Sequence, residues 1–133
     1  PLLDAIVKFL PSPVDVPPIK GLHPETGQEI ACKPRDSEPL AALIFKVSMM
    51  EGRKLTFVRV YSGRLKAGEE VYNTTLKKKE KLARLLQMHA NKRKRIDMVG
   101  AGSIMTLPRL SSLSAMALNQ KPYCMIASTL ARK

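Results

Sequence analysis

The stretch Lys54-Leu55-Thr56-Phe57-Val58-Arg59-Val60-Tyr61-Ser62-Gly63-Arg64-Leu65-Lys66-Ala67-Gly68-Glu69-Glu70-Val71-Tyr72-Asn73 decides the fold. It reads as strand, tight turn, strand. Residues 55–61 are rich in β-branched and aromatic side chains, which suit a pleated, half-buried surface. Gly63 and Gly68 bracket a short connection, and Val71-Tyr72 resumes the β composition. Glycine tolerates positive φ, so this pair implies a bend of defined geometry. On these residues alone the stretch is a hairpin within an all-β domain.

Working outward, residues 40–50 form a second strand. Leu43, Phe45, Val47 and Met49 alternate with Ile44, Lys46 and Ser48, giving one wholly apolar face. Glu51-Gly52-Arg53 is a short turn, so this strand pairs antiparallel with the one that follows. In residues 55–61 both faces carry apolar side chains, and periodicity does not settle which points inward. Further upstream, Leu2, Leu3, Ile6, Val7 and Leu10 fall on helical spacing, and Pro11 stops that helix. Pro11, Pro13, Pro17 and Pro18 make an extended, semi-rigid connector. Residues 21–38 read as a polar loop. Downstream, Leu82, Leu85, Leu86 and His89 fit a helix, while Leu82, Leu86 and Met88 also lie on one side of a strand, and the pattern alone leans to helix. Residues 92–99 read as an irregular turn or short helix. Gly100 and Gly102 then bend the chain into a strand over 103–107.

Arg59-Val60-Tyr61-Ser62-Gly63, with Leu65 and Gly68, resembles the second-domain β-barrel of translational GTPases. Leu85-Leu86-Gln87-Met88-His89-Ala90-Asn91-Lys92-Arg93 narrows the resemblance to elongation factor G, as does Pro1-Leu2-Leu3-Asp4-Ala5-Ile6-Val7 followed by Phe9-Leu10-Pro11-Ser12-Pro13. The resemblance covers roughly residues 1–105. It implies a mainly β fold, an antiparallel six-stranded-type β-barrel over 39–107. Residues 1–20 become the last helix of a GTP-binding domain plus its Pro-rich linker. Residues 82–89 become a strand. Gly63, Leu65 and Gly68 become barrel framework, and Arg59 a framework or interface residue. GTP and Mg belong to the GTP-binding domain of the resembled family, so no cofactor is expected on this chain.

After Leu107 the text changes. Family barrels continue with a Gly-Leu-Lys-like turn and a closing strand entered through Thr-Gly-Asp-Thr. This chain has Pro108-Arg109-Leu110-Ser111-Ser112-Leu113-Ser114 instead, with no glycine after Gly102 and no acidic residue after Asp97. Residues 108–133 are thus an atypical tail, from a frameshift, a splice or a recombined end, or a replacement for the closing strand. A barrel lacking that strand exposes unpaired edges.

The chain has 133 residues, enough for one ordinary domain. Aromatics are 5 % and Trp is absent, so the core must be mostly aliphatic. Net charge is +12, a balance that favours polyanions. No apolar run is long enough for a transmembrane helix. The start at Pro1 reads as a cut end. Cys32 and Cys124 form no CxxC pair and no metal-ligand spacing with His23 or His89, and read as two free thiols in a reducing compartment.

No catalytic constellation is legible. There is no Gly-x-x-x-x-Gly-Lys-Ser/Thr phosphate loop. Asn91-Lys92-Arg93-Lys94 begins like a guanine-reading motif, but Lys94 stands where a carboxylate must accept guanine N–H groups. His23 and His89 read as ordinary surface or packed histidines. Charge carries the one local signal. Lys77, Lys78, Lys79, Lys81, Arg84, Lys92, Arg93, Lys94 and Arg95 stand against one acid, Glu80, supplying +8 of the chain's +12. The bland interpretation is a solvated rim. The functional one is phosphate contact, with affinity falling steeply in salt. No aromatic interleaves these charges in the sequence, which favours recognition of RNA shape and backbone over base stacking.

The resemblance implies a cytoplasmic or organellar-matrix location, a monomer, and no membrane partner. It implies docking to the small ribosomal subunit and its rRNA, packing on the GTP-binding domain, and support of tRNA–mRNA translocation, without GTP hydrolysis by this chain. Rival readings are the barrel of a ribosomal protection or recycling GTPase, a free-standing RNA-binding β-barrel, and a non-functional gene fragment.

Overall fold

The computed structural model describes residues 1–22, 27–74, 77–90, 92–108, 115–118 and 125–126. His23, Asn91, Cys124 and most of the tail after Pro108 lie outside the described residues. The elements, in chain order, are helix α1 (Leu2–Phe9) and strands β1 (Ile19–Leu22), β2 (Glu29–Cys32), β3 (Ala41–Met50), β4 (Arg53–Ser62), β5 (Leu65–Lys66), β6 (Glu70–Asn73), β7 (Lys78–Lys81), β8 (Leu85–His89), β9 (Lys92–Ile96), β10 (Met98–Val99), β11 (Ile104–Pro108), β12 (Ala115–Leu118) and β13 (Met125–Ile126). The fold is mainly β and antiparallel, as expected.

Eight strands form one sheet in the order β7-β6-β12-β3-β4-β11-β8-β9. Among the described residues no ladder joins β7 to β9, so hydrogen bonding does not close the sheet on itself. β5 and β10 pair separately, Leu65 opposite Val99. The core gathers Leu40, Val58, Val60, Leu65, Val71, Leu82, Leu85, Met105 and Leu107, none more than 1 % exposed. It is aliphatic, as the composition requires. Fully burying each such side chain contributes about 1.5–3 kcal/mol.

Several elements differ from the sequence-based expectation, each for a physical reason. β4 and β6 are not a hairpin. β4 pairs with β3 and β11, while β6 pairs with β7 and β12. The segment between them is a crossover held by long-range bonds. Gly63 N–H donates to the Arg35 carbonyl at 2.9 Å, and Gly68 N–H to the Leu82 carbonyl at 2.6 Å. The apolar face of β3 also reverses along its length. Ile44 pairs with Val58 and Lys46 with Phe57, so Phe45 is an extra residue in the ladder, a β-bulge. A one-residue slip exchanges the two faces. Leu40, Ala42 and Ile44 are therefore buried, Val47 packs against the core and Phe45 is exposed, while Met49, on Val47's side, is exposed near the end of the strand.

Residues 92–96 are strand, not an irregular turn, because β9 finds a complete antiparallel ladder along β8, from His89 opposite Lys92 to Leu85 opposite Ile96. The stretch 21–38, read as a polar loop, contributes strands β1 and β2, paired from Ile19 opposite Cys32 to Leu22 opposite Glu29. β12 lies between β3 and β6 and pairs with both, so four tail residues fill the gap expected from the missing closing strand. Cys32 is disulfide-bonded, not the free thiol expected.

Helix α1 ends where Pro11 requires. Its apolar side chains are exposed, Leu2 at 74 % and Val7 at 83 %, and none of its residues is buried. The proline connector packs on the domain, with Pro13 against Gly102, where an added Cβ would lie 2.8 Å from the ring.

Asp36 fastens the loop before β3 to the turn before β11. Its Oδ1 accepts the Ala101 N–H at 2.9 Å, and its carboxylate fills the space a Gly100 side chain would need. The site is exposed, so Asp36→Ala is expected to cost about 1 kcal/mol, near the middle of the range for one hydrogen bond. A urea titration checks this. An unchanged midpoint would show that water replaces the carboxylate at no cost.

Candidate nucleic-acid interface

β7 and β9 stand at the two ends of the eight-stranded order, and they are the two basic strands. Lys78, Lys79 and Lys81 lie on β7, and Lys92, Arg93, Lys94 and Arg95 on β9. The charges are thus on edge strands themselves, not in loops flanking a strand. Lys77 occupies the turn before β7 at φ 52°, and Arg84 lies in the connection to β8. Eight of the nine side chains are exposed, and Arg93 is half-buried.

Alternation sets their directions. Leu85 and Ile96 face each other on the core side of the β8–β9 ladder. Gln87 with Lys94 and His89 with Lys92 continue that side, while Leu86 with Arg95 and Met88 with Arg93 occupy the opposite one. β9 therefore presents cations in both directions.

Among ion pairs between described residues, two of the nine take part. Lys78 meets Glu80 at 3.5 Å, and Arg93 reaches Glu51 of the β3–β4 turn at 2.7 Å. Each pair keeps one partner well exposed to screening solvent, so its contribution stays near the surface range of about 0–1 kcal/mol. The chain thus brings many cations to its sheet edges with little acid to neutralise them. Lysine on an edge also discourages edge-to-edge association, whatever else it does.

The framework residues are placed as follows. Leu65 is fully buried in the core. Gly63 and Gly68 have φ of 70° and 87°. Arg59 is exposed on β4, its guanidinium 5.2 Å from the Tyr61 ring centroid. His89 is exposed opposite Lys92. Sequence reading missed Asp36, whose partner Ala101 is remote in the chain. It also missed the aromatic pair Phe45–Phe57, which only strand register brings near the charges.

The described residues contain no group of three or more His, Cys, Asp or Glu side chains able to hold a metal ion. Three of the glycine turns are filled, while Gly27, Gly52 and Gly68 have open space around them. Gly63 lies against Glu38 and Leu40 backbone, Gly100 against Asp36, and Gly102 against Pro13, so none of the three is an open phosphate cradle. Among the described residues no helix is long and apolar enough to cross a membrane.

Residues 39–116 match the family described as Elongation factor G domain 2. The match runs past residue 107, where the sequence resemblance was expected to stop. Elongation factor G 2 of Syntrophus aciditrophicus (strain SB) is 59 % identical over 107 residues, 80 % of this chain and 16 % of that protein. Elongation factor G 1 of Geobacter sulfurreducens (strain ATCC 51573 / DSM 12127 / PCA) is 52 % identical over 115 residues, 85 % of this chain and 16 % of that protein.

Proposed function

The chain belongs to the elongation factor G family, and from that premise we propose that its β domain is an RNA-docking module, carrying a translation factor onto the small ribosomal subunit through basic edge strands β7 and β9. The observation that carries this reading is the concentration of nine cations on and beside those two strands, eight of them exposed. Each Lys or Arg that neutralises a phosphate releases condensed counterions, so binding is entropically driven and salt-sensitive. The chain spans 16 % of the length of the two relatives. In a protein of that length, GTP binding and hydrolysis fall to an upstream domain, against which α1 and the outer side of the connector pack. The β domain's share in tRNA–mRNA translocation is to hold the factor on rRNA in the cytoplasm or organellar matrix, as a monomer, while the GTP-binding domain changes state.

The test is binding of the 133-residue chain to purified small ribosomal subunits across a salt series. Lys92, Arg93, Lys94 and Arg95 are changed together to Ala in the comparison protein. The wild type is expected to bind and to weaken with salt. The variant's log–log salt slope is expected to be shallower by roughly 0.7–0.9 for each phosphate it no longer neutralises. Equal slopes would assign β9 to edge protection and remove the docking role.

A further inference from the structure

The bulge in β3 does more than reverse its faces. A regular strand would send Phe45 and Lys46 to opposite sides. Here Phe45 packs on Phe57, ring centroids 6.4 Å apart and planes at 54°, and Lys46 Nζ stands 5.5 Å from the Phe57 centroid. Two consecutive residues therefore serve one face. Phe45 is 47 % exposed there, and Phe57 is half-buried. The half-exposed Phe45 ring, held against a second ring, leaves aromatic surface free to pack on a partner.

Strand register says what lies alongside. Lys46 pairs with Phe57, Phe57 with Thr106, Thr106 with Leu86, and Leu86 with Arg95. Directly opposed residues share a face. One row thus crosses five strands, from an exposed lysine, past the aromatic pair, over buried Thr106 and half-buried Leu86, to an exposed arginine of β9. No carboxylate interrupts it. An apolar surface with a cation at each end is complementary to a strand whose flat bases alternate with phosphates.

We propose that Phe45 and Phe57 form a stacking platform for an unpaired base of the RNA that the edge strands contact, with Lys46 and Arg95 meeting its backbone phosphates. This rests on the RNA-docking reading and adds to it a single-stranded element. Every base has a π face, so the platform selects unpaired nucleotides over duplex without selecting sequence. Lys46 over Phe57 keeps a cation at the platform's rim, where a phosphate can reach it.

The test uses fluorescence anisotropy of the 133-residue chain with labelled single-stranded oligoadenylate and, in parallel, an RNA duplex of equal length. Phe45→Leu removes the ring at a half-exposed position. It is expected to weaken oligoadenylate binding about fivefold or more, the effect of removing one stacked base. Its salt slope and its duplex binding should match the wild type. Phe45→Tyr keeps the ring and should bind oligoadenylate normally, and Lys46→Ala should flatten the salt slope by roughly 0.7. The proposal is overturned if Phe45→Leu binds oligoadenylate like wild type, if it loses duplex binding equally, or if Phe45→Tyr fails as Phe45→Leu does. Duplex binding by the wild type without oligoadenylate binding removes the platform but leaves the edge strands as RNA contacts. Binding of neither RNA removes both. Loss of subunit binding by Phe45→Leu with oligoadenylate binding intact would assign the face to a protein partner.

Discussion

Replacing Gly63 with alanine is expected to lower the thermal midpoint by roughly 8–20 °C, the larger of two glycine effects in the β4–β6 crossover. Two costs add. Gly63 has φ 70°, a conformation that disfavours any Cβ by about 1–2 kcal/mol. An added Cβ would also lie 2.7 Å from the Glu38 carbonyl oxygen and 2.7 Å from Leu40 Cα. Both are backbone atoms and cannot rotate away. The same loop is held by Gly63 N–H to the Arg35 carbonyl at 2.9 Å and Ser62 Oγ–H to the Pro39 carbonyl at 2.6 Å. Relieving the clash means lifting that loop from the end of β4, an overpacking cost of about 1–3 kcal/mol. The sum is about 2–5 kcal/mol, at roughly 4 °C per kcal/mol for a domain of this size.

Gly68→Ala is the control. Its φ is 87°, but nothing lies within 4 Å of an added Cβ. Only the conformational cost applies, so a drop of roughly 4–8 °C is expected. Differential scanning calorimetry of the two variants separates the terms. Equal drops would show that the close approach of 35–40 to Gly63 does not constrain the fold.

That contrast marks how much of this domain the sequence carries. The strand character of β4 is written in Val58, Val60 and Tyr61, and the φ demands of Gly63 and Gly68 are local properties. The partners of those strands are not local. β6 runs beside β7 and β12, and nothing in residues 70–73 names either neighbour. The bulge at Phe45 is equally silent, because the alternation of β3 looks regular until one residue is left without a partner. β9 has a Lys-Arg-Lys-Arg run with weak intrinsic β preference, and its extended form comes from pairing with β8. For the candidate interface, charge was visible in the sequence and geometry was not. The basic runs stood out as runs, but their place on opposite ends of one sheet depends on the order of eight strands. Phe57 and Arg95 belong to one row only through the intervening β11 and β8.

The second large effect resolves the segment whose pattern fitted both helix and strand. Leu85→Ala is expected to cost about 2–5 kcal/mol, and Leu86→Ala less than about 1 kcal/mol. A helix over 82–89 would place Leu82, Leu85 and Leu86 on one face, and both truncations would be severe. A continuous strand from Leu82 would put Leu86, not Leu85, beside Leu82 in the core. The structure does neither. Residues 82–84 are not strand, so the parity resets. Leu82 and Leu85 are both buried, at 1 % and 0 %, while Leu86 is half-buried on the opposite side of β8. Leu82 is fixed independently, its N–H donating to the Glu69 carbonyl at 2.9 Å and its carbonyl accepting from Gly68. Leu85 opposes Ile96, so its removal opens a cavity at the root of the β8–β9 hairpin that carries four of the basic residues. Denaturant titration of the two variants gives the comparison. A Leu86→Ala cost equal to that of Leu85→Ala would contradict the β8 register, and with it the row joining Phe57 to Arg95. If the asymmetry holds, Leu86→Ala becomes a stable protein with an altered sheet face. RNA binding can then be measured on it without loss of the fold.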